Sequence, residues 1–204
     1  MAFSLEISAH SEIGLVRNNN QDSAYTSPHL IVVADGMGGA AAGDLASSVA
    51  IRELQRADAQ NLDTEGEPLV GDQMLEALSG ALAKANDALA DLVEWDHSLE
   101  GMGTTVCGAM FDGERYGICH IGDSRGYLLR DGELTRLTRD HSWVQSLIDD
   151  GKITPEEAAH HPHRSLLLKV LNGQPVHTPD FTLVEAQLGD RLLFCSDGLC
   201  GMVD

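Results

Sequence analysis

Thr104-Thr105-Val106-Cys107-Gly108-Ala109-Met110-Phe111-Asp112-Gly113-Glu114-Arg115-Tyr116-Gly117-Ile118-Cys119-His120-Ile121 is the stretch whose reading decides the fold. Two largely apolar runs flank Asp112-Gly113, a dipeptide that accepts the left-handed backbone of a tight hairpin turn. The spacing predicts strands over 104–111 and 116–121. A third strand over 126–130 runs into a second such dipeptide, Asp131-Gly132, and two more strands are expected over 181–185 and 191–195. Strands joined by short turns pair antiparallel.

Working outward, residues 4–10 alternate weakly and read as a strand, and Leu30-Ile31-Val32-Val33-Ala34 reads as a strand buried on both faces. Residues 36–43 read as a glycine and alanine turn, with Asp44 expected to cap a helix carrying Leu45, Val49 and Leu54 on one side. Residues 61–72 read as a surface loop. Over 74–93 the apolar residues Leu75, Leu78, Leu82, Ala85, Leu89 and Leu92 recur at helical spacing, an amphipathic helix whose stripe faces the core. Residues 138–163 are polar, with one helix before Gly151 and another starting at Thr154-Pro155-Glu156-Glu157. Strands come in runs rather than alternating with helices, so the fold class is α+β, with helices packed on a largely antiparallel sheet or sandwich.

The 204 residues suit one domain, 1–204, with a core of its own. Its 32 acidic against 13 basic side chains, net charge −19, argue against nucleic acid and against contact with an anionic membrane. An apolar content of 43% excludes a disordered polyanion. Apolar stretches of about five residues span no bilayer, and no basic start followed by an apolar run marks a secretory signal. Cys107, Cys119, Cys195 and Cys200 form no C-x-x-C pair and no zinc spacing, which points to reduced thiols in the cytoplasm. A hairpin that sets Cys107 opposite Cys119 stays open.

Asp112-Gly113 and Asp131-Gly132 are sufficiently explained as turns, but Asp35-Gly36 and Asp197-Gly198 end buried runs over 30–34 and 192–195. A carboxylate at a strand end is held rigidly at the rim of the core, and the glycine after it exposes a carbonyl oxygen. Asp123, in His120-Ile121-Gly122-Asp123-Ser124-Arg125, closes a third strand. Three such oxygen donors suit Mg²⁺ or Mn²⁺. Gly36-Met37-Gly38-Gly39-Ala40-Ala41 imitates a dinucleotide fingerprint, yet Asp35 would stand beside the pyrophosphate, and no second parallel strand ending in an acid follows. Arg17, in Arg17-Asn18-Asn19-Asn20-Gln21-Asp22, reads either as part of a solvated loop with Asx turns or as a bidentate phosphate ligand. His160-His161-Pro162-His163 reads as an exposed loop and His120 as a satisfied structural histidine. An acidic Ca²⁺ module is disfavoured, since no D-x-[DN]-x-[DN]-G loop occurs.

Six motifs then follow in order: Arg17-x-x-Asn20-Gln21-Asp22, Val33-Ala34-Asp35-Gly36-Met37-Gly38-Gly39, Gly101-Met102-Gly103-Thr104-Thr105, Ile121-Gly122-Asp123-Ser124-Arg125, Thr138-x-Asp140-His141-Ser142 and Cys195-Ser196-Asp197-Gly198-Leu199. On these the chain resembles the bacterial branch of the metal-dependent type-2C (PPM-type) Ser/Thr protein phosphatases, and it looks most like actinobacterial members. The resemblance implies a central β-sandwich flanked by helices on both faces, with a flap over residues 139–164. It implies two Mn²⁺ or Mg²⁺ ions bridged by Asp35, with Gly36 and Asp197 as further ligands, and a third ion held by Asp123 with Ser165 nearby. Arg17 would receive the substrate phosphate, and a metal-activated water would attack phosphoserine or phosphothreonine on proteins, Ser/Thr kinases among them. Met37 stands where eukaryotic relatives carry a histidine proposed as general acid. Gln21 stands where many members carry Glu, an amide in place of a carboxylate. Family members continue past Ser-Asp-Gly-Leu to a further metal-binding Asp, so a domain cut before that ligand, with weakened metal binding and low activity, is expected. Asp204 reads as a helix cap. The alternative function is a catalytically weak regulator that holds phosphoproteins.

Overall fold

The computed structural model describes residues 3–15, 18–60, 67–175 and 177–203. Its elements run β1 (Asp22–Thr26), β2 (Leu30–Met37), α1 (Gly39–Ala59), α2 (Asp72–Trp95), β3 (Gly103–Thr104), β4 (Val106–Phe111), β5 (Arg115–Ile121), β6 (Arg125–Arg130), β7 (Glu133–Arg136), α3 (Trp143–Asp149), α4 (Pro155–Ala159), β8 (Asp180–Glu185), β9 (Arg191–Cys195) and α5 (Asp197–Cys200). One sheet has the order β1-β2-β4-β5-β8, with β3 paired to the end of β2, and the other has the order β7-β6-β9. The decisive hairpin forms as its sequence predicts, pairing Phe111 with Tyr116 at the turn and Val106 with Ile121 at the far end. The second turn has Asp131 at φ 53° and Gly132 at φ 83°, the left-handed pair that a two-residue hairpin needs.

Two apolar layers hold the fold. α1 and α2 pack on one face of the larger sheet, where Leu30, Val32, Leu54, Met74, Leu78, Leu82 and Leu89 are buried. Complete burial of a leucine such as Leu78 or Leu89 stabilises by ~1.5–3 kcal/mol. The second layer lies between the sheets and holds Cys107, Ala109, Phe111, Tyr116, Ile118 and Phe194. β2 therefore faces two cores, with Leu30, Val32 and Ala34 fully buried toward the helices and Ile31 and Val33 packed into the inter-sheet layer. The same alternation separates the cysteines of the hairpin. Cys107 pairs with His120 and Cys119 with Gly108, so Cys107 enters one core and Cys119 the other, and all four cysteines are free thiols.

Several local expectations are corrected. Residues 4–10 form no strand. Phe3 donates one backbone bond to Gly113 O (2.8 Å), and Phe3 and Leu5 pack on the inter-sheet layer, so the alternation records a packed face without a ladder. Conversely, Asp-Ser-Ala-Tyr-Thr forms β1, which pattern alone did not mark because this edge strand is only half buried. Asp44 lies exposed inside α1 rather than at its cap. The helix starts five residues earlier, at Gly39, because Gly43 packs directly on Gly36: a Cβ on Gly36 would stand 2.0 Å from Gly43 O. Asp72 opens α2 instead of ending a loop, and residues 61–66 of that loop, like Asp204, lie outside the described residues. α3 and α4 form where expected, α4 with a full capping box between Thr154 and Glu157. Among the described residues no helix is long and apolar enough to cross a membrane.

Candidate metal centre

The site is assembled from strand ends. Asp35 sits near the end of β2, and the antiparallel register places it opposite Asp22 at the start of β1. Its backbone is clamped from the β3–β4 side: Asp35 N–H donates to Thr105 Oγ1 (3.0 Å), while Asp35 O accepts from Thr105 N–H (2.9 Å) and from Thr104 Oγ1 (3.0 Å). Thr105 Oγ1 and Ser124 Oγ share a buried hydrogen bond of 2.7 Å, which ties this clamp to the β5–β6 turn bearing Asp123. That turn needs Gly122, whose φ is +105° and where a Cβ would meet Thr105 Cγ2 at 2.5 Å. At the end of β9, Ser196 Oγ donates to Asp22 Oδ2 (2.7 Å), one residue before Asp197. The threonine and serine positions of the motifs are thus the braces that hold the aspartates.

The aspartates feel one another. Burial first, then Asp22, Asp197 and Asp123, push the Asp35 carboxyl up to about 8, and Asp197 is its hydrogen-bond partner. Asp123 is pushed up to about 6, again by burial first and then by Asp197 and Asp140. Among the described residues no Lys, Arg or His forms an ion pair with Asp22, Asp35, Asp123 or Asp197. Arg125 offsets part of the charge at Asp123 from a distance, and four carboxylates gathered without an ion pair among the described residues are a donor set for hard divalent ions. Mn²⁺ or Mg²⁺ fits that set.

Of the residues named from sequence, Asp35, Asp123 and Asp197 come together, and Gly36 follows Asp35 with its N–H donating to Gln21 O (3.2 Å). Ser165 lies on an exposed turn, and no hydrogen bond among the described residues joins it to the aspartates. Arg17 lies outside the described residues. Sequence reasoning passed over Asp22 as a site residue, although it ends the first quoted motif. Asn20 builds its approach: Asn20 Oδ1 accepts from Asp22 N–H (3.0 Å), and Asn20 Nδ2 donates to Ser11 Oγ (2.7 Å). Gln21 Nε2 donates to Gly39 O (3.0 Å), a bond that a carboxylate at this position would lack the proton to make.

Outside the cluster, Asp140 takes a bidentate grip from Arg125 (2.7 and 3.2 Å) and a further bond from Arg136. His161 and His163 pack edge-on around Trp143, with centroids at 5.1 and 5.6 Å, while His160, Pro162 and His163 remain exposed as the sequence suggests. His120 is 2% exposed and neither ring nitrogen makes a hydrogen bond of good geometry, so the expectation of a satisfied histidine is met only by the backbone of Ser124, which favours the charged ring. Burial, with His141 adding to it, depresses His120 to about 4 and keeps it neutral near pH 7.

Comparison with known proteins gives one answer. A family model described as protein phosphatase 2C matches residues 16–204. Serine/threonine protein phosphatase PstP of Mycobacterium tuberculosis is 51% identical over 195 residues, which are 96% of this chain and 36% of that protein. The chain thus spans about a third of the length of this curated relative. Serine/threonine phosphatase stp of Listeria welshimeri is 36% identical over 93% of this chain and 76% of its own length. The crystal structure of the M. tuberculosis phosphatase matches with a TM-score of 0.89 at 50% identity, covering 98% of this chain and 82% of that one. A structure of the PstP catalytic domain with two manganese ions matches with a TM-score of 0.87 at 47% identity, covering 98% of this chain and 80% of that one.

Proposed function

The chain belongs to the protein phosphatase 2C family, and from that premise we propose that it hydrolyses phosphoserine and phosphothreonine on cytoplasmic proteins, opposing Ser/Thr kinases and acting on kinases themselves. The observation that carries this reading is the gathering of Asp22, Asp35, Asp123 and Asp197, which among the described residues form no ion pair with a Lys, Arg or His. Asp22, Asp35, Asp197 and the Gly36 carbonyl would hold two Mn²⁺ or Mg²⁺ ions, with Asp123 and Ser165 serving a third; a relative's catalytic domain carrying two manganese ions supports the assignment. When bound, such ions supply Lewis acidity that lowers the pKa of a coordinated water toward neutrality, so that it can attack phosphorus in line.

The chain's own residues do the rest. Thr104 and Thr105 fix the backbone of Asp35, so the carboxylate that would hold the ions is aimed before substrate arrives. The Ser196 hydroxyl orients the Asp22 carboxylate by donating to it. Arg17 would clamp two phosphoryl oxygens with its planar fork and offset the charge of the transition state. Met37, exposed beside the site, has no proton to give, so the leaving oxygen takes its proton from water or from another group. The test is hydrolysis of a phosphothreonine peptide with Mn²⁺, with EDTA, and after Asp35→Asn. Turnover should disappear in the last two conditions. Activity insensitive to both would overturn the reading, whereas peptide binding without turnover in the Mn²⁺-loaded protein would make it a phosphoprotein-binding regulator.

A further inference from the structure

We propose that His120, His141 and Asp180 form a second metal site, separate from the aspartate centre, for a borderline transition ion such as Zn²⁺. One donor atom from each residue lies within 4.8 Å of the donors of the other two. The three come from distant parts of the chain: β5, the turn before α3, and the first residue of β8. His120 supplies a second sign: it is 2% exposed, its ring centroid lies 4.8 Å from that of His141, and neither ring nitrogen makes a hydrogen bond of good geometry, the backbone of Ser124 being its polar neighbour. Buried polar groups almost always find a partner, and an ion coordinated by this imidazole would be one.

Donor chemistry separates this site from the aspartate centre. Two imidazole nitrogens and one carboxylate oxygen suit Zn²⁺, whereas Mg²⁺ and Mn²⁺ favour oxygen-rich cages. Tetrahedral Zn²⁺ needs its donors roughly 3.3 Å apart, so the site must contract on loading. Asp180, whose side chain is 56% exposed, is free to make that move. His141 Nε2 now faces Asp180 Oδ2 at 3.0 Å, and an ion entering between them replaces that bond. The ring proton then passes from Nε2 to Nδ1, and the 3.2 Å bond that Nδ1 accepts from Gly122 N–H is given up. Lys169 Nζ stands 3.7 Å from the other oxygen of Asp180, Oδ1. A cleft of about 390 Å³ bordered by Ser142, His141, Lys169 and Asp180 brings solvent to the site, which gives the ion an entry path and a water for its fourth position. Loaded, the site would pin the base of the flap to the edge of the larger sheet.

Cobalt is the probe, because four-coordinate Co²⁺ bound through nitrogen absorbs intensely in the visible while six-coordinate oxygen sites absorb weakly. The full chain, saturated with Mn²⁺ to fill the aspartate centre, is titrated with Co²⁺ and then with Zn²⁺. One intense band per chain is expected, discharged by stoichiometric Zn²⁺. Asp180→Asn and His141→Asn, with folding checked by circular dichroism, should each weaken Co²⁺ binding ~10-fold or more, while Asp35→Asn should leave the band intact. No intense band in the wild type, a band undiminished in both site variants, or a band lost in Asp35→Asn would each overturn the proposal.

Discussion

Asp35→Asn should stabilise the metal-free protein while abolishing its turnover. In the unfolded chain this carboxyl titrates at its ordinary 3.8, and in the folded protein burial and three neighbouring aspartates raise it to about 8. A raised carboxyl favours the folded state fully below pH 3.8, and that advantage is lost as pH climbs toward 8. At pH 7 the folded protein must still keep the proton that the unfolded chain has released. Over the interval from 3.8 to 7, at about 1.36 kcal/mol per unit, this costs on the order of 4 kcal/mol. Asparagine keeps the shape and carries no titrating charge, so the melting temperature in EDTA at pH 7 should rise by roughly 10 °C. The difference between variant and wild type should vanish near pH 4 and widen up to pH 8. Adding Mn²⁺ should reverse the order, because the ion binds the charged wild-type cluster and stabilises it by mass action. The assay is differential scanning calorimetry at pH 4, 7 and 8, with and without Mn²⁺. A metal-free variant no more stable than wild type at pH 7 would refute the reasoning that the four carboxylates repel one another at this site.

Two further perturbations test the supports. Thr105→Val removes the acceptor for Asp35 N–H and the buried partner of Ser124; urea unfolding should show a loss of about 1–3 kcal/mol, and Mn²⁺ should bind more weakly. Asp140→Asn leaves Arg125 and Arg136 without their shared carboxylate, with side chains only 28% and 30% exposed. A loss of about 2–4 kcal/mol is expected from denaturant midpoints, and raising salt should shrink the difference from wild type.

Much of the fold was legible because its signals are local. The β4–β5 hairpin is written in two apolar runs around Asp112-Gly113, and α2 in a repeating stripe whose burial the structure repeats at Leu78, Leu82 and Leu89. Illegible elements were those whose burial is partial or whose boundary is set by a distant partner. β1 is polar at an edge, and α1 begins at Gly39 because Gly36 and Gly43 touch. The site divides the same way. Asp35, Asp123 and Asp197 were readable as acids ending apolar runs, whereas Asp22 begins a strand with no apolar signature and became a site residue only through its register opposite Asp35.

What the sequence by itself determined is which segments are strands, which carry an acid at the end, and that these acids, with their serines and threonines, form the ordered motifs of one family. Only the tertiary structure decided which of them share a point in space. Pleat and helical periodicity depend on neighbours a few residues away, but convergence depends on strand order and register across the sheet: Ser196 reaches Asp22 across 174 residues of chain. The same holds for His120, an ordinary strand histidine in sequence, which packing leaves buried beside His141 and Asp180.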